Sequence, residues 1–246
     1  MKHLIIIFSF LILSLSVWGQ IVIVNNGTPA HIKCSQGPSC TTLGINTVGA
    51  SIEFAGCYGY AADCGVVSFP VNIWYLVGGS CFVGGTMHTC LYQAYGPPST
   101  STSQTATFTG TYEGGFFSAY IGTPPDATAF DKISGAGSGP GSTTISPGSL
   151  TPASPNEFII SIVGGSTSTT TLTVDSGLSV LDSFPYSEGL YFGGGVATLV
   201  DSSTTPIILT WDLKDAAGYG AAALVAAFKP AIVASVSVPR HHGGTY

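Results

Sequence analysis

Charge is what this sequence has least of. Only 7 % of its 246 residues are Asp, Glu, Lys or Arg, against roughly 25 % in an ordinary soluble domain. Its surface must therefore be covered by Ser, Thr, Gly and Asn. That suits an extracellular or assembly-forming protein better than one in a crowded cytosol, where more charge keeps chains apart. The six basic residues form no patch and the formal net charge is -6, which argues against a nucleic-acid partner. Helical periodicity is missing too. So are CxxC pairs and EF-hand loops. The glycine run Gly193-Gly194-Gly195 lacks the strand–helix context of a phosphate-binding loop, so it reads as a bulge or tight bend.

Long apolar runs are absent except at the start. Residues 1–19, MKHLIIIFSFLILSLSVWG, have a short basic start, an apolar run from Leu4 to about Leu15, and a small residue before Gln20. This reads as a secretory signal peptide cleaved near Gly19–Gln20. The run is too short to be a comfortable membrane span. A secreted or cell-surface location follows, with no membrane span after cleavage. The remainder divides into an N-terminal strand segment 20–29, a β-sandwich domain 30–230, and a C-terminal strand and tail 231–246.

What is present is strand pattern. In Thr205 to Pro230, Ile207, Leu209, Trp211 and Leu213 share one face of an extended segment, and Ile208, Thr210 and Asp212 the other. That is a strand with one buried face. Ala221 to Phe228 is Ala-rich, and alanine favours helix. The Thr, Val and Gly upstream imply sheet, so it is expected to be a strand buried on both faces. Other strand candidates are Ser51–Phe54, Val66–Val77 (with Trp74 and Tyr75 marking a core strand), Ala106–Thr111 and Gly114–Ile121. Glu157–Gly164 follows, with Phe158, Ile160 and Ile162 on one face, then Thr167–Val174, Leu178–Phe184 and Leu190–Val200. Pro97–Thr105 reads as half loop, half exposed strand. Asp126–Ser149 is poor in bulky residues and reads as a long surface connection with one short strand, or as a mobile arm. Short strands at regular spacing between Gly, Pro and Asp turns predict an all-β, antiparallel β-sandwich.

The six cysteines, Cys34, Cys40, Cys57, Cys64, Cys81 and Cys90, lie within one stretch. An even count in a secreted chain predicts disulfides, although six cysteines allow fifteen pairings. Their order suggests Cys34–Cys40, Cys57–Cys64 and Cys81–Cys90, each closing a short loop. The rival is a metal site, but only His88 lies among them. Asn26 opens an Asn-Gly-Thr glycosylation acceptor.

Several stretches carry a resemblance: NIWYLVGGSC at 72–81, CLYQAYG at 90–96, ATFTGTYEGGFFSAYIG at 106–122, FDKISG at 130–135, STTISPGSLTPASPNEFIISIVGG at 142–165 and LTWDLKDAAGYGAAALVAAFKP at 209–230. In this order they resemble a group of secreted bacterial and metagenomic β-sandwich proteins of unassigned function. The resemblance spans about residues 30–230 and implies a jelly-roll-like sandwich, to which the cysteine count adds long disulfide-bridged loops. It implies no catalytic residues. The extra cysteines and the β-prone segments at both ends depart from it.

Chemistry is scarce. A glycoside hydrolase needs two facing carboxylates, and no local pattern brings Glu113 and Glu157 together. No catalytic or cofactor-binding residue is assigned. Calcium is a candidate at the paired acids Asp126/Asp131, Asp175/Asp182 and Asp212/Asp215, with turn capping as the default. His31, His88, His241 and His242 assemble into no site. Tyr58, Tyr60, Tyr75, Tyr92 and Tyr95 sit in the cysteine-rich half. Exposed rings there would stack on surface glycans; buried ones would be core. The leading expectation is a non-enzymatic structural protein, a subunit of a cell-surface filament or similar assembly. Its partners would be copies of itself, joined through the terminal strands QIVIV (20–24) and AIVASVSV (231–238). A carbohydrate-binding or adhesive module is the first alternative, and a glycoside hydrolase the second.

Overall fold

The computed structural model describes residues 22–23, 30–33, 39–48, 50–69, 74–95, 105–109, 113–120, 129–166, 172–187, 191–214 and 217–230. The N-terminal half supplies β1 (Val22–Ile23), β2 (Ala30–Lys33), β3 (Cys40–Thr41), β4 (Ile52–Tyr60), β5 (Gly65–Phe69), β6 (Trp74–Leu76), β7 (Phe82–Gly84), β8 (Met87–Tyr95), β9 (Thr105–Thr109) and β10 (Glu113–Tyr120). The C-terminal half supplies β11 (Phe130–Ser138), β12 (Thr144–Ile145), β13 (Ser149–Leu150), β14 (Glu157–Gly165), β15 (Thr173–Val174), β16 (Ser179–Ser187), β17 (Tyr191–Asp201), β18 (Ile207–Ile208), β19 (Trp211–Asp212) and β20 (Ala221–Phe228). Helix among the described residues is limited to the 3-10 turn Val77–Gly79.

Each half builds its own sheets. The first makes a seven-stranded sheet, in the order β1-β10-β4-β8-β6 with β2 also on β10 and β7 also on β8, and a three-stranded sheet β3-β9-β5. The second makes a five-stranded sheet β11-β20-β14-β17-β16, a three-stranded sheet β12-β19-β15 and the pair β13-β18. Every described pairing is antiparallel. The all-β antiparallel class expected from the sequence stands. The stack is thicker than the two layers of a single sandwich, because both large sheets are covered on both faces.

Strand alternation explains the layering. Ile52, Phe54 and Tyr58 of β4 and Met87 and Leu91 of β8 meet Phe158, Ile160 and Ile162 of β14 and Leu224, Ala226 and Phe228 of β20, forming the core between the two large sheets. Phe54 lies at its centre, 4.9 Å from the Phe228 ring and 5.6 Å from the Phe158 ring. The intervening residues of the same strands face outward into two further clusters. Ile159, Val163, Ala221, Ala223, Val225 and Ala227 pack against Ile145, Leu150, Ile207, Leu209, Trp211 and Leu213 of the small C-terminal sheets. Ala55, Cys57 and Cys90 pack against Ile45, Cys64, Val66, Ala106 and Phe108 around the small N-terminal sheet.

The Ala-rich segment is the strand buried on both faces that the pattern predicted; every residue of β20 is buried. Small side chains let two layers approach a central strand from opposite sides, and this outweighs alanine's helix preference. Ile207, Leu209, Trp211 and Leu213 are all buried, while Ile208 is exposed, as the period-2 pattern requires. Across the layers, Thr89 donates its hydroxyl to the Ala222 carbonyl at 2.9 Å.

Three expectations need correction. The stretch Asp126–Ser149 holds a nine-residue strand, β11, paired along β20 from Phe228 to Ala221. Its low bulk serves close approach: a Cβ at Gly137 would overlap the Val83 carbonyl and Gly84 of β7. Trp74 and Tyr75 mark an edge strand, with Tyr75 half exposed. Gly193-Gly194-Gly195 is regular strand in register with Gly165, Gly164 and Val163; a Cβ at Gly195 would already lie 3.4 Å from the Trp211 ring. Its register shift lies on the partner strand, between Val180 and Asp182. The segment Pro97–Thr105 lies outside the described residues except for Thr105, which opens β9.

Candidate functional site

The densest chemistry lies on the outer face of the seven-stranded sheet. Cys57 of β4 and Cys90 of β8 are register partners, and directly opposed residues of an antiparallel pair project to the same face. Cys57 bonds to Cys64, which ends the turn between β4 and β5. Cys90 bonds to Cys81, which precedes β7. The predicted pairings Cys57–Cys64 and Cys81–Cys90 are therefore found. Cys40 is also disulfide-bonded, and among the described residues no cysteine is free; Cys34 lies outside the described residues.

The two bridges are neighbours. The sulfurs of Cys57, Cys64 and Cys90 lie within 4.8 Å of one another, and a carboxylate oxygen of Asp63 groups within the same 4.8 Å with the sulfurs of Cys81 and Cys90. Cys57, Cys64 and Cys90 are buried, whereas Cys81 is partly exposed. At the rim, His88 Nδ1 hydrogen-bonds Asp63 Oδ1 at 2.7 Å. Tyr92 donates its hydroxyl to the Cys64 carbonyl at 2.7 Å. Burial, with the Asp63 charge adding to it, pushes the Tyr92 phenol above its usual range.

Among the described residues, these sulfur groups are where three or more potential metal ligands converge. With every sulfur in a bridge, the cluster presents no thiolate, which is the form that ligates a metal or attacks an electrophile. The pairing of Asp63 with His88 was not read from the sequence. Its signal is available once the bridges are assigned: Asp63 precedes Cys64 by one residue and His88 precedes Cys90 by two.

The second concentration of polar groups lies at one end of the five-stranded sheet. Glu157, the first residue of β14, is fully buried. Its Oε1 accepts hydrogen bonds from the Ser154 amide and hydroxyl, both at 2.8 Å, while Oε2 is buried without a hydrogen-bond partner. Burial holds this carboxyl above the usual range; the Ser154 bonds pull the other way. Asp131 accepts from Lys229 Nζ at 3.0 Å and from the Ala153 amide at 3.0 Å. These contacts clip the 151–157 turn to the strand ends. Glu157 faces protein, so it is no partner for a sugar; the Glu113 side chain lies outside the described residues.

Of the other acids, Asp201 and Asp212 cap local turns and Asp175 ties two distant segments together. Asp175 accepts from the Thr210 amide at 2.6 Å, and Asp201 from the Ser203 amide at 2.9 Å. Asp212 accepts from the Lys214 amide at 2.8 Å and from its Nζ at 2.5 Å, which pulls its carboxyl below the usual range. Asp182 has its own partners within the fold. Asn26, Asp126, Asp215, His241 and His242 lie outside the described residues, as does the His31 side chain.

Among the described residues, the tyrosines do not form an exposed row. Tyr58 is core, Tyr60 meets Tyr219 edge-on with ring centroids 5.4 Å apart, and Tyr75 stands half exposed at the sheet edge. The Tyr95 side chain lies outside the described residues. Among the described residues, no helix is long and apolar enough to cross a membrane. No family model, curated protein or solved structure matches the chain.

Proposed function

We propose that this chain is a non-catalytic extracellular structural protein that assembles into a cell-surface filament by exchanging its N-terminal strand. The observation that carries this reading is at the edge of the seven-stranded sheet. There Val22 and Ile23 pair with Tyr120 and Ala119 of β10, and β2 pairs separately with residues 113–116 of the same strand. Among the described residues, this edge is thus filled by two separate pieces of chain. The first belongs to the β-prone segment QIVIV, joined to β2 through an Asn-Asn-Gly turn signal.

An intramolecular strand at a sheet edge is the kind of element that protomers exchange, because a neighbour's copy remakes the same contacts. The contact is heterologous, so its repetition need not close into a ring and can extend as a fibre. Low charge weakens repulsion between copies. The disulfides suit life outside the cell, where oxidising conditions preserve them. The C-terminal segment Ala231–Val238 has the same β-prone, uncharged character and is the second candidate donor.

The test compares the mature protein with a form lacking Gln20–Val24 and another lacking Ala231–Tyr246, by light scattering and electron microscopy. The intact protein should form filaments, and deletion of Gln20–Val24 should abolish them. A strictly monomeric intact protein at high concentration ends the proposal. Normal assembly by both truncated forms would rule out terminal strand exchange.

A further inference from the structure

The two bridges on the outer face of the seven-stranded sheet offer more than cross-linking. We propose that Cys57, Cys64, Cys81 and Cys90 form a thiol–disulfide exchange relay: a dithiol reductant enters at Cys81, and the surviving bridge moves inward to join Cys57 to Cys90.

Access sets the entry point. Cys90, Cys57 and Cys64 are buried, and Cys81 is the partly exposed residue of the four. A thiolate of the dithiol attacks Cys81 Sγ, breaking the Cys81–Cys90 bond and expelling Cys90 as thiolate. The second thiol of the reductant then attacks its own sulfur in the mixed disulfide. This releases Cys81 as a thiol and leaves the reductant as a cyclic disulfide.

The Cys90 thiolate now lies against an intact disulfide, within 4.8 Å of the sulfurs of both Cys57 and Cys64. It also lies beside the Asp63 carboxylate, and a like charge disfavours the thiolate where it stands. Attack on Cys57 Sγ forms Cys57–Cys90, breaks Cys57–Cys64 and moves the electron pair to Cys64, which takes a proton from water. Two electrons from the dithiol have reduced one protein disulfide. The free thiols are Cys64 and Cys81, not the pair first attacked.

Register makes the new bond feasible. Cys57 and Cys90 are directly opposed in β4 and β8, and opposed residues of an antiparallel pair have Cα atoms roughly 4.5–5.5 Å apart. That lies within the range a disulfide spans. The shift leaves β4 and β8 stapled together and releases two tethers: the turn through Cys64 that leads to β5, and the approach to β7 through Cys81. The relay would thus loosen the small N-terminal sheet while preserving the strands that face the central core.

The test is limited reduction of the native full-length protein with dithiothreitol, quenched by alkylation and read by non-reducing peptide mapping. The expected product carries label on Cys64 and Cys81 and a Cys57–Cys90 cross-linked peptide. Label on Cys81 and Cys90 with Cys57–Cys64 intact overturns the relay. So does failure of dithiothreitol to open any of the four under native conditions. A Cys81→Ser variant gives a second reading without reductant: it should mature with Cys57–Cys90 joined and Cys64 free. Cys57–Cys64 with Cys90 free in that variant overturns the proposal equally.

Discussion

The outer face of the five-stranded sheet carries Ile159, Val163 and alternate residues of β20, and it is closed by Ile145, Leu150, Ile207, Leu209, Leu213 and the Trp211 ring. The outer face of the seven-stranded sheet carries Ala55, Cys57 and Cys90, and it is closed by Ile45, Val66, Ala106, Phe108 and Cys64. Both halves must cover a sheet that is already buried on its other side. The C-terminal half does so with aliphatic area and one large aromatic side chain, and it contains no cysteine. Among the described residues, the N-terminal half has a smaller apolar cluster, and three of its members are bridged cysteines. Cross-links restrict the unfolded chain and add to whatever apolar burial holds this layer. The two outer layers therefore owe their attachment to different physical terms, and they should fail under different treatments.

Trp211→Ala should have the largest effect. Trp211 is fully buried, and removing such a side chain costs about 3–5 kcal/mol through lost transfer energy and the cavity left behind. Urea unfolding should show this loss with or without a reducing agent. A cost no greater than that of Tyr75→Ala, at a half-exposed edge position, would remove the claim that apolar packing holds the C-terminal layer. The double variant Cys57→Ala/Cys64→Ala comes next. The loop it opens spans seven residues, and loop-closure entropy assigns such a bridge about 2–3 kcal/mol. Hydrogen exchange should quicken in β3, β5 and β9 while β14 and β20 stay protected. Equal loss of protection in β14 and β20 would break the distinction between the halves.

Much of the C-terminal layer was legible in the sequence. The alternation Ile207, Leu209, Trp211, Leu213 and the face Phe158, Ile160, Ile162 each read as a buried stripe, and the structure buries them. The double-faced burial of Ala221–Phe228 was legible only through context, because its own propensity points to helix. What misled was glycine. In β11 and in Gly193–Gly195, residues without side chains suggested loop or bend, because pattern reading weighs bulk. Their reason is interlayer distance, which sequence does not display. The edge position of Trp74 and Tyr75 was hidden for a related reason: aromatic content marks strand but not its place in the sheet. Two cystine pairings followed from sequence order. Their contact with one another, and with Asp63 and His88, depends on the β4–β8 register, which no local signal sets.

Ser161→Ala tests the aliphatic side at one atom. Ser161 Oγ donates to the Leu224 carbonyl at 2.7 Å and accepts from Trp211 Nε1 at 2.9 Å. Its loss leaves a buried indole N–H without an acceptor, a cost of about 1–2 kcal/mol. The matching change in the other outer layer is Thr41→Ala, which removes the exposed hydroxyl pair Thr41–Thr107 at 2.7 Å. A surface change of that kind should stay within about 0.5 kcal/mol. Equal costs at the two sites would mean that burial does not distinguish the layers as described.

The smallest expected effect is a slope instead of a loss. Burial raises the Glu157 carboxyl above its unfolded value, so the folded state holds this proton more tightly than the unfolded chain does. Its contribution is therefore fully present below the unfolded pKa and is lost as pH rises through the folded one. Glu157→Gln removes the titration. Gln keeps an oxygen for the Ser154 amide and hydroxyl and supplies a neutral group where burial disfavours charge. The variant should thus gain on the wild-type protein as pH rises through that window, and the two should converge in acid. Thermal unfolding of both proteins across the acid-to-neutral range measures the difference directly. A wild-type advantage that grows with pH would mean that Glu157 is ionised and held by Lys229, the opposing charge near it. The end of the five-stranded sheet would then rest on an ion pair, and the contrast between an aliphatic half and a cross-linked half would need that charge added to it.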